Sequence, residues 1–132
     1  MNEQKTRKQI AIAAEDDRGF DGQVSHHFGR CPFYFLVEVE GDQIVESKVE
    51  QNPFYGNHQP GQMPAFIRDL GANVILAGGM GPRAIDLFIN MGIEVATGAI
   101  GNVKNVLDAY LRGDIKGIVP CAHDHADSCG GH

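Results

Sequence analysis

The sequence predicts an α/β protein built on one mixed five-stranded sheet with helices packed on its faces. Three observations carry that expectation: a short, fully apolar run near the start, a strand pair joined by a tight turn, and then strands alternating with helices that open on Pro or Asn and close on Gly.

The run "QIAIAA" (9–14) is apolar on both faces and flanked by charge, so it reads as the central strand. "FYFLVEVE" (33–40) follows as a second strand, Gly41 and Asp42 form a turn, and "QIVESKVE" (43–50) returns as a third. The second strand then opposes the first, and the third runs parallel to it. Beyond a Gly/Pro-rich loop, "MPAFIRDLG" reads as a helix with Pro64 in its first turn and Gly71 at its end. "NVILAGG" is a fourth strand. "GPRAIDLFINMG" repeats the helix signature, with Pro82 opening it, Ile85, Phe88 and Ile89 as its apolar face, and Gly92 closing it. "IEVAT" is a fifth strand. Asn102 caps a last helix, "VKNVLDAYLRG", whose Val103, Val106, Leu107 and Tyr110 face the core and which Gly113 ends. Right-handed crossover makes strands four and five parallel.

At 132 residues the chain fits a single domain that buries about two thirds of its unfolded surface. Seventeen acidic and eleven basic residues leave a net charge of -6, and the basic residues are scattered, which argues against a nucleic-acid partner. No apolar run approaches the ~18 residues of a membrane span, and "MNEQKTRK" has no signal-peptide core, so a cytoplasmic location is expected. Cys31, Cys121 and Cys129 are an odd count for a reducing compartment, and suit ligand or reactive thiols better than a disulfide framework.

Strands one, three, four and five are expected to end at one edge, where open α/β sheets hold ligands. The loop after the first strand brings His26, His27, Arg30 and Cys31 within six residues, and the loop after the third brings His58. Imidazole with thiolate suits iron, zinc, copper or iron–sulfur species better than magnesium or calcium. The alternative is structural: one histidine a satisfied hydrogen-bonder, Phe28 a core plug, and Cys31, next to Pro32, a buried thiol. Gly79 and Gly81 in "GGMGP", and Gly101 in "GAIGN", introduce helix N-termini that favour an anion, unless the glycines serve only their turns. Neither stretch is a Walker loop, and no dinucleotide fingerprint follows the first strand. Asp16, Asp17 and Asp21 could suggest a phosphoryl hydrolase, but the fourth strand ends in "GGMG" without a converging acid.

The chain ends in "CAHDHADSCGGH". Cys121, His123, His125, Cys129 and His132 could bind zinc, copper or nickel as a flexible chelating tail, in a spacing that matches no standard finger. The expected organisation is a disordered extension over 1–8, a folded domain over 9–116 and a metal-binding tail over 117–132, the tail having the reach to fold back over the ligand edge when loaded.

"HFGRCPFYFLVEV", followed by "NPFYGNHQPGQMPAFIRDLGANVILAGGMGPRAIDLFINMGIEVATGAIGNVKNVLDAYLRGDI", resembles the dinitrogenase iron–molybdenum cofactor biosynthesis family, the NifX-like proteins and the C-terminal domain of NifB. The resemblance covers about residues 9 to 116. It implies a ribonuclease-H-like three-layer fold and a non-catalytic protein that carries an iron–sulfur or molybdenum-containing metallocluster or its precursor. It further implies cluster donor and acceptor proteins as partners, with the chain itself a monomer or weak homodimer. The family's histidine before Phe-Gly-Arg falls on His27, and His26 is an additional imidazole. Nitrogen fixation as such is not implied, since iron–sulfur and molybdenum–copper–sulfur cargoes fit the same pattern.

Overall fold

A central strand, β1 (Arg7–Ala14), organises the molecule. The computed structural model describes residues 7–28, 31–41, 43–53 and 62–115. After β1 come β2 (Phe33–Glu40), β3 (Gln43–Gln51), α1 (Gln62–Asp69), β4 (Val74–Leu76), α2 (Pro82–Asn90), β5 (Glu94–Ala96) and α3 (Val103–Leu111). The strands form one sheet in the order β3-β2-β1-β4-β5. β2 is antiparallel to both β1 and β3, whereas β4 is parallel to β1 and β5 parallel to β4. The expected mixed five-stranded α/β sheet is therefore present, with β1 at its centre.

β1 reads as unbroken apolar sequence because both its faces are covered. Ile10 and Ile12 point to one side, into a cluster with Val103, Val106 and Leu107 of α3. Ala11 and Ala13 point to the other, into a cluster with Met63 and Ile67 of α1 and Phe88 of α2. The result is three layers, with α3 alone on one face and α1 and α2 on the other. The alanines give the two-helix face room for Phe28, Tyr34 and Phe88, which pack as tilted and edge-on rings 5.2–5.7 Å apart.

The differences from the sequence reading lie at element ends. β1 begins at Arg7, two residues ahead of the domain boundary expected at residue 9. β4 and β5 are only three residues long each, shorter than "NVILAGG" and "IEVAT" suggest. Beyond Leu76 the main chain leaves the ladder: the Ala77 amide still donates to Ala96, but Gly78 donates to Ser25, and Gly98 donates back to Gly78. A 3-10 turn at Gly19–Asp21, which no periodicity signals, sets Phe20 edge-on to Phe35 at 4.8 Å.

The cap on α3 is the one expected. Asn102 sits in extended conformation and its side-chain oxygen accepts from the Asn105 amide at 3.2 Å. Its side-chain nitrogen also donates to the Gly22 carbonyl at 3.4 Å, so one residue both starts the helix and ties it to the β1–β2 loop. Asn102→Ala should lower stability by about 1–2 kcal/mol, the upper part of the usual range for a lost cap. Chemical denaturation of the two proteins checks this, and a change below about 0.3 kcal/mol would mean the cap is idle.

Candidate ligand edge

Three loops meet where β1, β4 and β5 end, and their main chains hold them together. From the β1–β2 loop, the Val24 amide donates to Gly101 at 2.9 Å, and the Phe28 amide donates to Gly79 at 3.0 Å. The Gly78 amide donates to Ser25 at 2.9 Å, and the Val103 amide donates to Gly22 at 2.9 Å. The first loop is thus stitched to both of the others by paired main-chain donors and acceptors.

Gly78 is the tightest point. A Cβ there would stand 2.8 Å from the His26 Cα and 2.9 Å from the Ser25 oxygen, and one at Gly79 would stand 3.0 Å from the His26 oxygen. Only glycine lets the two backbones approach this closely. Gly81, by contrast, meets nothing within 4 Å.

This contact displays two adjacent imidazoles. His26 and His27 are both exposed, while Ser25 before them and Phe28 after them are 2% and 4% exposed. The Ser25 hydroxyl accepts from the His27 amide at 3.3 Å and donates to the His27 carbonyl at 3.0 Å, closing a small local ring. Phe28 plugs the core against Tyr34 and Phe88, as one of the sequence alternatives holds. The histidines are therefore held out on a short segment anchored at both ends.

Cys31 requires a correction to the ligand set. It lies under the loop, fully buried, with its Sγ donating to the Phe28 carbonyl at 3.3 Å. The Tyr34 hydroxyl donates to the same carbonyl at 3.4 Å. Burial pushes the thiol up to about 12, against only partial relief from its hydrogen bonds. The thiol is thus turned into the core and is not displayed beside His26 and His27.

The two helix N-termini are not equivalent. At α3 the first-turn amides of Val103 and Asn105 are already taken, by Gly22 and by the Asn102 side chain. Gly101 serves the scaffold through its carbonyl and a turn at φ 106°. At α2 the cap residue is Gly81, with no side chain to satisfy the first turn, and Pro82 follows. Of the two, α2 is the end that leaves its dipole and first amides toward the edge.

Arg30 and His58, and Cys121, His123, His125, Cys129 and His132, lie outside the described residues. Asp16 is engaged locally, its carboxylate accepting from the Arg18 amide at 3.1 Å. Among the described residues no three His, Cys, Asp or Glu side chains converge as a metal site, and no helix is long and apolar enough to cross a membrane. Sequence reasoning missed Ser25, and it placed Gly78 in the edge loop that the resemblance assigns to Gly78–Pro82 without its close approach to His26. The Ser-x-His spacing and the paired glycines after an apolar strand were the available signals.

Comparison with known proteins gives concordant results. The family model described as "Dinitrogenase iron-molybdenum cofactor" matches residues 8–113. An uncharacterised protein of Methanocaldococcus jannaschii, MJ0580, is 28% identical over 109 residues, covering 81% of this chain and 88% of its own. Among solved structures, that of PH0822 is 40% identical and superposes with a TM-score of 0.74 over 83% of this chain and 94% of the other. The apo form of the orange protein from Desulfovibrio gigas, 23% identical, shares the fold with a TM-score of 0.70 over 86% and 95% of the two chains.

Two outcomes test this geometry. Gly78→Ala should destabilise the protein by about 1–3 kcal/mol, because backbone and not a flexible side chain must move. Gly81→Ala should stay within about 0.5 kcal/mol, and equal effects in denaturant would contradict the close approach. Alkaline pH should act through Cys31. Its folded pKa is raised above the ordinary 9.0 to about 12, so the unfolded chain loses the proton first. The stability due to the buried neutral thiol is whole below pH 9 and falls as pH rises toward 12. Cys31→Ala should remove the part of this decline that begins near pH 9. The part from Tyr34 and Tyr110, whose hydroxyls burial also raises, should persist. Denaturation midpoints from about pH 8 to about pH 11 make the comparison.

Proposed function

Since the chain belongs to the dinitrogenase iron-molybdenum cofactor family, we propose that it is a non-catalytic carrier. It holds an iron–sulfur or iron–molybdenum–sulfur cluster, or a precursor, between a donor and an acceptor protein during cofactor assembly. The observation that supports this reading most is the display of His26 and His27 on a segment pinned by main-chain bonds to the Gly78–Gly79 turn. Two exposed nitrogen donors on a fixed support can ligate iron without burying it.

The cargo class follows from charge as well as from donors. Sulfido clusters are commonly anionic, and the uncapped start of α2 favours an anion beside the imidazoles. Arg30, four residues beyond His26, would add a cation to the same loop. With Cys31 buried, the loop supplies imidazole and not thiolate. Few protein bonds and an open face suit a cargo that must be released as well as held.

The test is anaerobic loading with ferrous iron and sulfide, with and without tetrathiomolybdate, followed by desalting, metal analysis and absorption spectroscopy. His27→Ala should weaken retention about tenfold or more, the scale seen when support of a metal ligand is lost, and His26→Ala should weaken it less. Both should keep the wild-type denaturation midpoint, because the scaffold bonds of this segment are not made by the imidazoles. A His26→Ala/His27→Ala double variant that retains the wild-type metal content would refute the reading.

A further inference from the structure

The two faces of the sheet are not covered alike. α1 and α2 share one face, whereas α3 alone lies on the other. On the α3 face Ile44 and Val49 of β3 are 43% and 37% exposed, although their partners across the ladder, Val39 and Phe35, are buried in the α3 cluster. Between β3 and α3 lies an apolar groove lined by Phe20, Ile44 and Leu107, with Lys104 and Asp108 on its helical rim. The rim charges pair with each other at 3.3 Å, so what the groove lacks is an apolar occupant.

We infer that this groove holds the chain's own residues 117–120, Gly-Ile-Val-Pro, which lie outside the described residues. The last described residue, Ile115, packs against the α3 cluster and borders a depression with Lys8, Gly41 and Leu111. Lys8 shares one cross-strand row with Val39 and Ile44, so the following segment sets out from the end of the groove that Ile44 walls. At the other end Phe20 packs on Phe35, in the row of Ile12, Phe35 and Val49. From Lys8 to Ile12 along β1 is about 13 Å at ~3.3 Å per residue, and residues 116–120 in extended form span about 16 Å. The length therefore matches.

The residue types match as well. After Ile115 the large aliphatic side chains are Ile118 and Val119, set in a segment otherwise of small and polar residues and Pro120. Both are β-branched, and Val119 precedes Pro120, which biases it to an extended backbone. Successive side chains of an extended segment turn to opposite sides, so between two walls one meets Ile44 and the other Leu107. Pro120 then reaches Phe20, and Cys121 starts at the Gly19–Asp21 turn of the loop that carries His26 and His27. Docking of this kind needs no metal, which separates it from any role of the Cys and His residues beyond it.

Trypsin cleavage after Lys116 tests the inference, on the full chain with reductant and a chelator present and the products weighed by mass spectrometry. No Lys or Arg follows Lys116, so loss of residues 117–132 reports this one bond. Cleavage requires the segment to leave the groove, and its rate then tracks the open fraction. The full chain should be cut about tenfold or more slowly than a free peptide of residues 113–125. Ile118→Ser with Val119→Ser, and separately Ile44→Asp, should each bring the rate up to that of the matching peptide. Combining them should add nothing, because both remove the same contact. Ile100→Asp, at a residue 69% exposed and outside the groove, should keep the wild-type rate. Cleavage at Arg83, inside α2, reports global unfolding and should stay unchanged in every variant. If Ile44→Asp exposes Arg83, Ile44→Ala takes its place. A full chain cut as fast as the peptide, or protection that survives either the Ile44 variant or the serine pair, would overturn the inference.

Discussion

Gly78 and His26 touch backbone to backbone, and the arrangement of the ligand edge follows from that contact. With the Ser25 carbonyl bonded to the Gly78 amide and the Gly79 carbonyl to the Phe28 amide, residues 25–28 have one position relative to the sheet. Phe28 is thereby aimed inward between Tyr34 and Phe88, and its carbonyl is delivered to the Cys31 thiol and the Tyr34 hydroxyl. The two histidines are left outside because their neighbours on both sides are committed inside. A side chain at residue 78 would separate the strands of this knot and loosen all of it together.

The asymmetry of the sheet supports the same end. Alanines at 11 and 13 make a shallow face on β1, and the aromatic rings beneath the loop fill it. Isoleucines at 10 and 12 make a thicker face, which α3 alone covers. The face with the smaller β1 side chains is the one into which Phe28 packs, so the loop rests there on the rings of Tyr34 and Phe88 and not on β1 side chains. That packing also explains why Cys31, so soon after the exposed His27, is sealed from water.

Most of the fold was legible in the sequence, because its signals are local. Pro82 and Gly92 bracket α2, Asn102 caps α3, and the unbroken apolarity of 9–14 marks a strand covered on both faces. The relative directions of the strands followed from the hairpin and the crossover rule. The site was less legible. His26 and His27 were correctly placed at the edge, but "HFGRC" gives no sign of which side chains turn in, and the period-two pattern that places Cys31 inside only begins at Phe33. The glycines were grouped as one kind of signal, yet Gly78 is required by a long-range contact, Gly101 by a turn, and Gly81 by neither. Pairings between residues as far apart in the chain as His26 and Gly78 leave no periodicity to read.

The segment that shows the histidines is held by its main chain and by Ser25, and among the described residues the imidazoles hold nothing in return. Positions 26 and 27 are thus free to drift under selection without endangering the domain beneath them. Exchanging an imidazole for a thiol, a carboxylate or an amide would alter which metals are preferred while leaving stability nearly as it was. A lineage could pass this scaffold from one inorganic cargo to another by single substitutions at the rim. The record of such changes would lie in two adjacent codons, while the glycine at 78 stayed fixed.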